Sequence, residues 1–216
     1  MKILLTAFDP FGGETINPAR EVAAALPDQI GGADIIKLWL PTVFGEAGEK
    51  VTKAMDDLRP DAVISLGQAG GRKAVTPERI AINLMDARSP DNARNQPQEQ
   101  VIEQNGPDGC FSTLPVKAMA AAIREQGLPG EVSLSAGTFV CNDVMYRALR
   151  HAAKAMPATR CGFIHVPYLP EQTAEKPDVP SLSLADMVRA LTAALQVVAE
   201  DLAAEKSKII KERGTS

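Results

Sequence analysis

The chain has 216 residues, 45% hydrophobic and 23% charged, the balance of an ordinary soluble globular protein long enough for one domain with a real core. Against 27 acidic residues stand 23 lysines and arginines, a net charge of −4 without a basic stripe, which argues against nucleic acid as a main partner. No run approaches the roughly eighteen apolar residues of a membrane span, the start MKILLTAFDPFGG lacks the layout of a secretion signal, and three cysteines without CxxC spacing indicate neither a disulfide frame nor a zinc cage, so a reduced cytoplasmic protein is expected.

KILLTAF (2–8) reads as the first strand, apolar without alternation as in a sheet covered on both faces. Asn17-Pro18 sets a capping side chain before a proline at the first helical position and opens a short helix to about Leu26. ADIIKLWL (33–40) is the next strand. Phe44, Ala47, Val51, Ala54, Met55 and Leu58 then recur at steps of three and four, and Pro60 ends that helix. DAVISLG (61–67) and RIAINLM (79–85) read as strands around a glycine-rich turn. Pro115 opens a helix with Val116, Met119 and Ile123 on one side, and EVSLS (131–135) is a further strand. Met145, Ala148, Leu149, Ala152 and Met156 mark a helix directly after Cys141, and GFIHV (162–166) is the last strand. A stripe from Leu184 through Met187, Val188, Leu191, Leu195 and Val198 to Leu202 gives the longest helix, which fades into a charged tail at 206–216. This alternation predicts an α/β sandwich with a mainly parallel twisted sheet, a single domain over 1–216. Residues 86–114 and 167–183 are long, polar and proline-punctuated. Loops of that length in a compact domain are usually functional or mobile, and mobility is expected for 86–114.

The search for reactive groups is short, because the chain has two histidines. His151 lies ten residues beyond Cys141 on one helix, about 15 Å along the axis, and reads as a solvated helix residue. His165 ends the strand GFIHV, and open α/β sheets bind ligands outside the carboxyl ends of their strands. A structural histidine fits the same position. Cys141 opens a helix, where unpaired N–H groups and the dipole pull a thiol pKa down toward the reactive range. The bland alternative is a small, buried, inert side chain. Cys110 and Cys161 lack the helix-start context. A cysteine–histidine pair needs a third group to hold the imidazole. The region around Glu78, after the turn GQAGG, lies on the same rim as His165 if the sheet is parallel, although spacing alone selects the region rather than the residue. That turn is neither GxGxxG nor a P-loop, so it adds little to a case for nucleotide binding.

TAFDPFGGETINPA, SLGQAGGR, ERIAIN, DARSPDN, FSTLP, SAGTFVCN and GFIHVPYLPEQ run in this order from Lys2 to Gln172. Together they resemble pyroglutamyl peptidase type I, a family of cysteine peptidases that remove an N-terminal 5-oxoproline residue from peptides. The resemblance implies a three-layer α/β/α sandwich, no cofactor, and a cytoplasmic homotetramer acting on peptides with N-terminal pyroglutamate. It implies Cys141 as nucleophile, His165 as general base and Glu78 as the acid that orients the histidine. It further implies a ring pocket made by Phe8, Phe11, Gln68, Phe139 and Val140, with Asn17 and Arg88 lining or supporting the same cleft. Without the resemblance, the phenylalanines read equally as core packing. Three departures stand out: Asp143 where CNH is usual after the nucleophile, Ser89 near the pocket, and Ala7 for a common glycine. Asp143 suits the helix dipole, but its charge is expected to oppose thiolate formation at Cys141. Two other classes compete: a catalytically weakened peptide-binding or thiol-sensing protein of this fold, and a phosphorylase-like transferase, for which no arginine-rich phosphate site is present.

Overall fold

Four apolar strands lie side by side and parallel at the centre of the molecule, seen in a computed structural model that describes residues 1–214. In chain order the elements are β1 (Lys2–Phe8), α1 (Pro18–Ala25), β2 (Gln29–Ile30), β3 (Ala33–Leu40), α2 (Glu46–Leu58), β4 (Ala62–Gln68), β5 (Thr76–Pro77), β6 (Ile80–Ile82) and β7 (Gly109–Phe111). They continue with α3 (Val116–Glu125), α4 (Val140–Ala155), β8 (Arg160–Val166), α5 (Pro170–Thr173) and α6 (Leu184–Gly214). The main sheet has the order β2-β3-β1-β4-β8-β5; its inner pairs are parallel, and the short edges β2 and β5 are antiparallel. Both faces are covered, which is why the central strands are mostly apolar on both sides. Ile3, Leu5, Ile64, Ile164 and Val166 point into a core closed by α1, α3 and α6. Leu4, Val63, Cys161 and Phe163 point into a second core closed by α2 and α4. The result is the expected three-layer α/β/α sandwich. Among the described residues, no helix is long and apolar enough to cross a membrane.

Two predicted strands differ in the structure. Of 79–85 only Ile80–Ile82 is extended in a ladder, and it pairs antiparallel with β7 in a separate small sheet. The segment 131–135 runs parallel to 75–79, with Glu131 N–H donating to the Val75 carbonyl, Ser133 N–H to Pro77, and Arg79 N–H to Ser133. Pro77 has no N–H to donate in return, so the ladder breaks into isolated bridges at Val75–Gly130 and Glu78–Ser133.

The segment 86–114 holds the loops around it. Thr138 Oγ1 donates to the Asp86 carbonyl at 2.6 Å, Asp91 Oδ2 accepts from the Phe44 N–H at 2.9 Å, and Asn92 Nδ2 donates to the Pro10 carbonyl at 2.9 Å. β1 sits between β3 and β4, so the chain turns in opposite directions from its two sides. The carboxyl ends of β1, β4 and β8 therefore bound the crevice in which an open α/β sheet binds its ligand.

Candidate active site

His165 stands near the carboxyl end of β8, buried, with its ring 4.7 Å from that of Phe163 two residues earlier on the same face. Its Nδ1 lies 2.7 Å from Glu78 Oε1. Glu78 is held beside β8 by its own N–H, which donates to the Phe163 carbonyl at 2.9 Å. The carboxylate is fully buried, and burial alone pushes its pKa up. The hydrogen bond and charge of His165, with further help from Arg72, outweigh burial and hold Glu78 below the usual carboxylate range. An ionised carboxylate only accepts, so Nδ1 carries the proton and Nε2 is the basic nitrogen of the neutral ring.

Cys141 is the second residue of α4, whose N-cap, Phe139, offers no side-chain cap. Asn142 anchors this first turn: its Oδ1 accepts from the Ile82 N–H at 2.9 Å, and its Nδ2 donates to the carbonyls of Ile82 and Leu84. The thiol is placed by what is missing beneath it. A Cβ on Gly67 would lie 2.9 Å from Cys141 Sγ and 2.7 Å from Phe163 Cζ. Gly67 is the parallel register partner of His165, and paired residues of adjacent strands present their substituents to the same face. Sulfur and imidazole thus occupy one face of the sheet over neighbouring strands, and a glycine makes room for the sulfur.

The helix start does not leave the thiol ionised, contrary to the sequence-based expectation. Burial, reinforced by the Glu78 charge, pushes Cys141 up to about 12, and Arg72 and the Cys141 N–H pull it only partly back. Burial also pushes His165 below the ordinary imidazole value, with Glu78 opposing and Arg72 assisting. Burial thus disfavours the charged form of each group. Asp143 is not the opposing charge it was taken for. It is buried and turned toward α2, its Oδ2 accepting from the Gly45 N–H at 2.9 Å and its Oδ1 from Arg147 Nε at 2.6 Å.

The remaining predicted residues divide by burial. Phe8 is core, its ring 6.2 Å from Phe163, and Val140 is likewise fully buried. Phe11 and Phe139 are partly exposed, with ring centroids 6.0 Å apart. Phe44 completes this aromatic group, edge-on to Phe139 at 5.2 Å. Its place in a helical period disguised it as a core position. Asn17 is buried and does two jobs: its Oδ1 caps α1 at the Ala19 N–H, and its Nδ2 donates to the Asp9 carbonyl, fixing the DPFGG turn. Gln68 ends β4, and its Oε1 accepts from Gln172 Nε2 at 3.0 Å, which leaves its amide N–H groups as the free donors. Arg88 is exposed and makes no hydrogen bond or ion pair. Ser89 beside it is exposed too.

Arg72, the last residue of SLGQAGGR, is a part of the site that spacing in the sequence does not mark. Its Nη1 donates to Glu78 Oε1 at 2.6 Å and Thr76 Oγ1 at 2.7 Å, and its Nη2 to the Ser135 carbonyl at 3.0 Å. The other thiols and histidine stand apart from this group. Cys161 is buried and pushed up to about 12 by burial, Cys110 is partly buried, and His151 Nε2 lies 2.9 Å from Asp56 Oδ1.

A partly accessible thiol packed over the sheet, an imidazole with a fixed tautomer and an ionised acid meet beside an aromatic cleft, the components of acyl transfer through a covalent intermediate. Comparison with known proteins agrees. The family model for pyroglutamyl peptidase matches residues 1–201. The pyrrolidone-carboxylate peptidase of Levilactobacillus brevis is 56% identical over 92% of this chain and 97% of its own. The crystal structure of Bacillus amyloliquefaciens pyroglutamyl peptidase I is 46% identical, with a TM-score of 0.88 over 92% of this chain and 97% of that one. That of Pyrococcus furiosus pyrrolidone carboxyl peptidase is 42% identical, with a TM-score of 0.89 over 94% and 100%. With this extent of similarity, and with its own thiol beside the histidine, the chain belongs to the pyroglutamyl peptidase family and is a cysteine peptidase.

Proposed function

We propose that the chain hydrolyses the amide bond after an N-terminal pyroglutamyl residue through a Cys141–His165–Glu78 triad and a thioester intermediate. The observation that carries this is the convergence of three distant segments: Sγ above Gly67, the imidazole on its register partner, and the 2.7 Å contact from that imidazole to Glu78. His165 Nε2 takes the thiol proton as sulfur attacks the scissile carbonyl, and the C–N bond breaks as the same nitrogen protonates the leaving amine. Water, deprotonated by His165, then cleaves the thioester, releasing pyroglutamate and restoring the thiol. The Cys141 N–H, at the start of α4, serves as an oxyanion donor in this reading, and Arg88, exposed and without a hydrogen bond to the other described residues, as a second.

Pyroglutamate is a flat, neutral lactam. Phe11, Phe44 and Phe139 offer apolar walls for its ring, and the unengaged N–H groups of Gln68 suit its extra carbonyl. N-terminal proline has the same outline but a charged amine in place of the lactam N–H, and it lacks the carbonyl that Gln68 would pair. The cytoplasmic location and the homotetramer belong to the same reading and rest on the family resemblance.

The deciding assay is turnover of a chromogenic pyroglutamyl amide beside its prolyl counterpart. Turnover of the first alone, abolished in Cys141→Ser and in His165→Ala, is the expected result. An inactive wild type whose Cys141 still reacts with iodoacetamide would overturn the peptidase and favour the thiol-sensing alternative.

A further inference from the structure

We propose that Arg72 is a positioning residue of this reaction: a fork that fixes Glu78 against His165 and ties that acid to the loop leading into Cys141. The inference rests on the triad reading above. The imidazole Nδ1–H and the guanidinium Nη1–H converge on one oxygen, Glu78 Oε1, at 2.7 and 2.6 Å. The other oxygen, Oε2, is buried without a hydrogen-bond partner, so the carboxylate is held from one side only. Without Arg72 the fully buried Glu78 would keep only His165 and the nearby Ser133 hydroxyl as side-chain partners, with more freedom to rotate. The guanidinium prevents this with its remaining donors, to Thr76 Oγ1 in β5 and to the Ser135 carbonyl, six residues ahead of the nucleophile. Acid and nucleophile loop are thus joined through one planar group, a geometry that lysine's single ammonium does not reproduce.

The same arrangement sets the charge of the site. Arg72 neutralises the carboxylate that pulls a proton onto His165, and so favours the free base that thiol deprotonation requires. Other charges do not replace it. Lys73 and Glu131 line the roughly 580 Å³ surface cavity that Arg72 borders, and neither forms an ion pair with it. Beyond Glu78 the facing titratable groups are His165 on β8 and Cys141 on α4. The Arg72 side chain is about a third exposed, so the guanidinium reaches from the solvent edge to a buried partner.

The test is steady-state kinetics of wild type, Arg72→Gln and Arg72→Lys on a pyroglutamyl amide across pH, beside alkylation of Cys141 against pH read by peptide mass. Arg72 does not touch the substrate, so Arg72→Gln is expected to lower kcat about 10- to 100-fold with KM changed less than about twofold. Both limbs of its kcat/KM profile move to higher pH, because losing the cation raises the affinity of His165 and of the thiol for protons. Arg72→Lys keeps the limbs near their wild-type positions but recovers kcat only in part, since the tie to Ser135 is lost. Wild-type kcat in Arg72→Gln, or a lowered kcat with unmoved limbs, overturns the proposal. If Arg72→Gln does not fold, wild-type kcat in Arg72→Lys overturns the fork and a reduced kcat with unmoved limbs supports it. Absence of turnover in the wild type would instead remove the peptidase reading, and the alkylation curves alone would then decide the role of Arg72.

Discussion

Gly67→Ala isolates the geometry on which the site depends. Gly67 lies within β4 at an ordinary φ, so alanine meets no backbone penalty there. Its Cβ, however, would stand 2.9 Å from Cys141 Sγ and 2.7 and 2.9 Å from two atoms of the Phe163 ring. Heavy atoms in contact settle at about 3.5–4.0 Å, so sulfur and ring must each retreat by roughly 0.6–1.3 Å. Phe163 is fully buried and cannot retreat freely. Overpacking of this size costs about 1–3 kcal/mol, and a misplacement near 1 Å at a reacting atom costs about a hundredfold in rate. The expected outcome is a folded protein with a lowered urea midpoint and kcat/KM about two orders of magnitude below wild type. Gly67→Ala combined with Phe163→Leu relieves the ring overlap without moving the new Cβ, so it should regain stability and stay slow. Activity within about threefold of wild type in folded Gly67→Ala would refute the placement of the sulfur over this strand.

Two further outcomes follow from buried charge. Asp143→Asn removes the partner of Arg147 Nε and half of the carboxylate that receives the Gly45 N–H, so it should destabilise by about 1–3 kcal/mol in urea. Its Cys141 alkylation curve should overlay that of wild type; a downward shift of the variant's curve would restore the electrostatic opposition assigned to Asp143 from sequence. Cys161 is buried and protonated up to about 12, whereas an unfolded thiol ionises near 8.5. Below the unfolded value both states hold the proton, and above it only the folded state does. The stabilisation is thus fully present below the unfolded value and is lost as pH rises toward the folded one, at up to about 1.4 kcal/mol per pH unit. Between pH 8 and 10.5 the urea stability of wild type should fall more steeply than that of Cys161→Ala, and parallel slopes would contradict this account.

Much of the scaffold could be read from residue order alone. Mainly apolar runs without alternation at 2–8, 33–40 and 61–67 read as inner strands of a sheet covered on both faces, and they are. The periods after Phe44, Pro115 and Cys141 yielded the helices α2, α3 and α4. What escaped was set by partners far along the chain. Whether 131–135 forms a ladder depends on the missing N–H of Pro77, and RIAINLM is shortened because β7, from the long polar segment, pairs with only part of it. At the site, Cys141 and His165 were identifiable by position, one at a helix start and one at a strand end. Glu78 was one carboxylate among several until the family resemblance singled it out. Arg72 was invisible because its role lies in reaching Ser135, 63 residues away. The thiol's direction was misread for a related reason: helix position is local and visible in sequence, whereas burial is a property of the assembled core.

That misreading has a chemical consequence. In the proposed triad, burial raises the thiol and lowers the imidazole, so it favours the neutral pair over a standing thiolate–imidazolium. Sulfur then becomes a strong nucleophile only as its proton moves to His165, and the ion pair so created is stabilised by groups already in place: the Glu78 carboxylate on Nδ1 and the N–H groups opening α4. Because burial disfavours that pair while the preorganised groups favour it, its cost is smallest when a bound carbonyl accepts the sulfur's charge in the same step. The resting thiol is correspondingly a poor target for oxidants and alkylators, which react with thiolates. Low reactivity of Cys141 toward iodoacetamide at neutral pH together with turnover of a pyroglutamyl amide is therefore the outcome that favours a peptidase over a redox sensor, because a sensor needs a low-pKa, accessible thiolate.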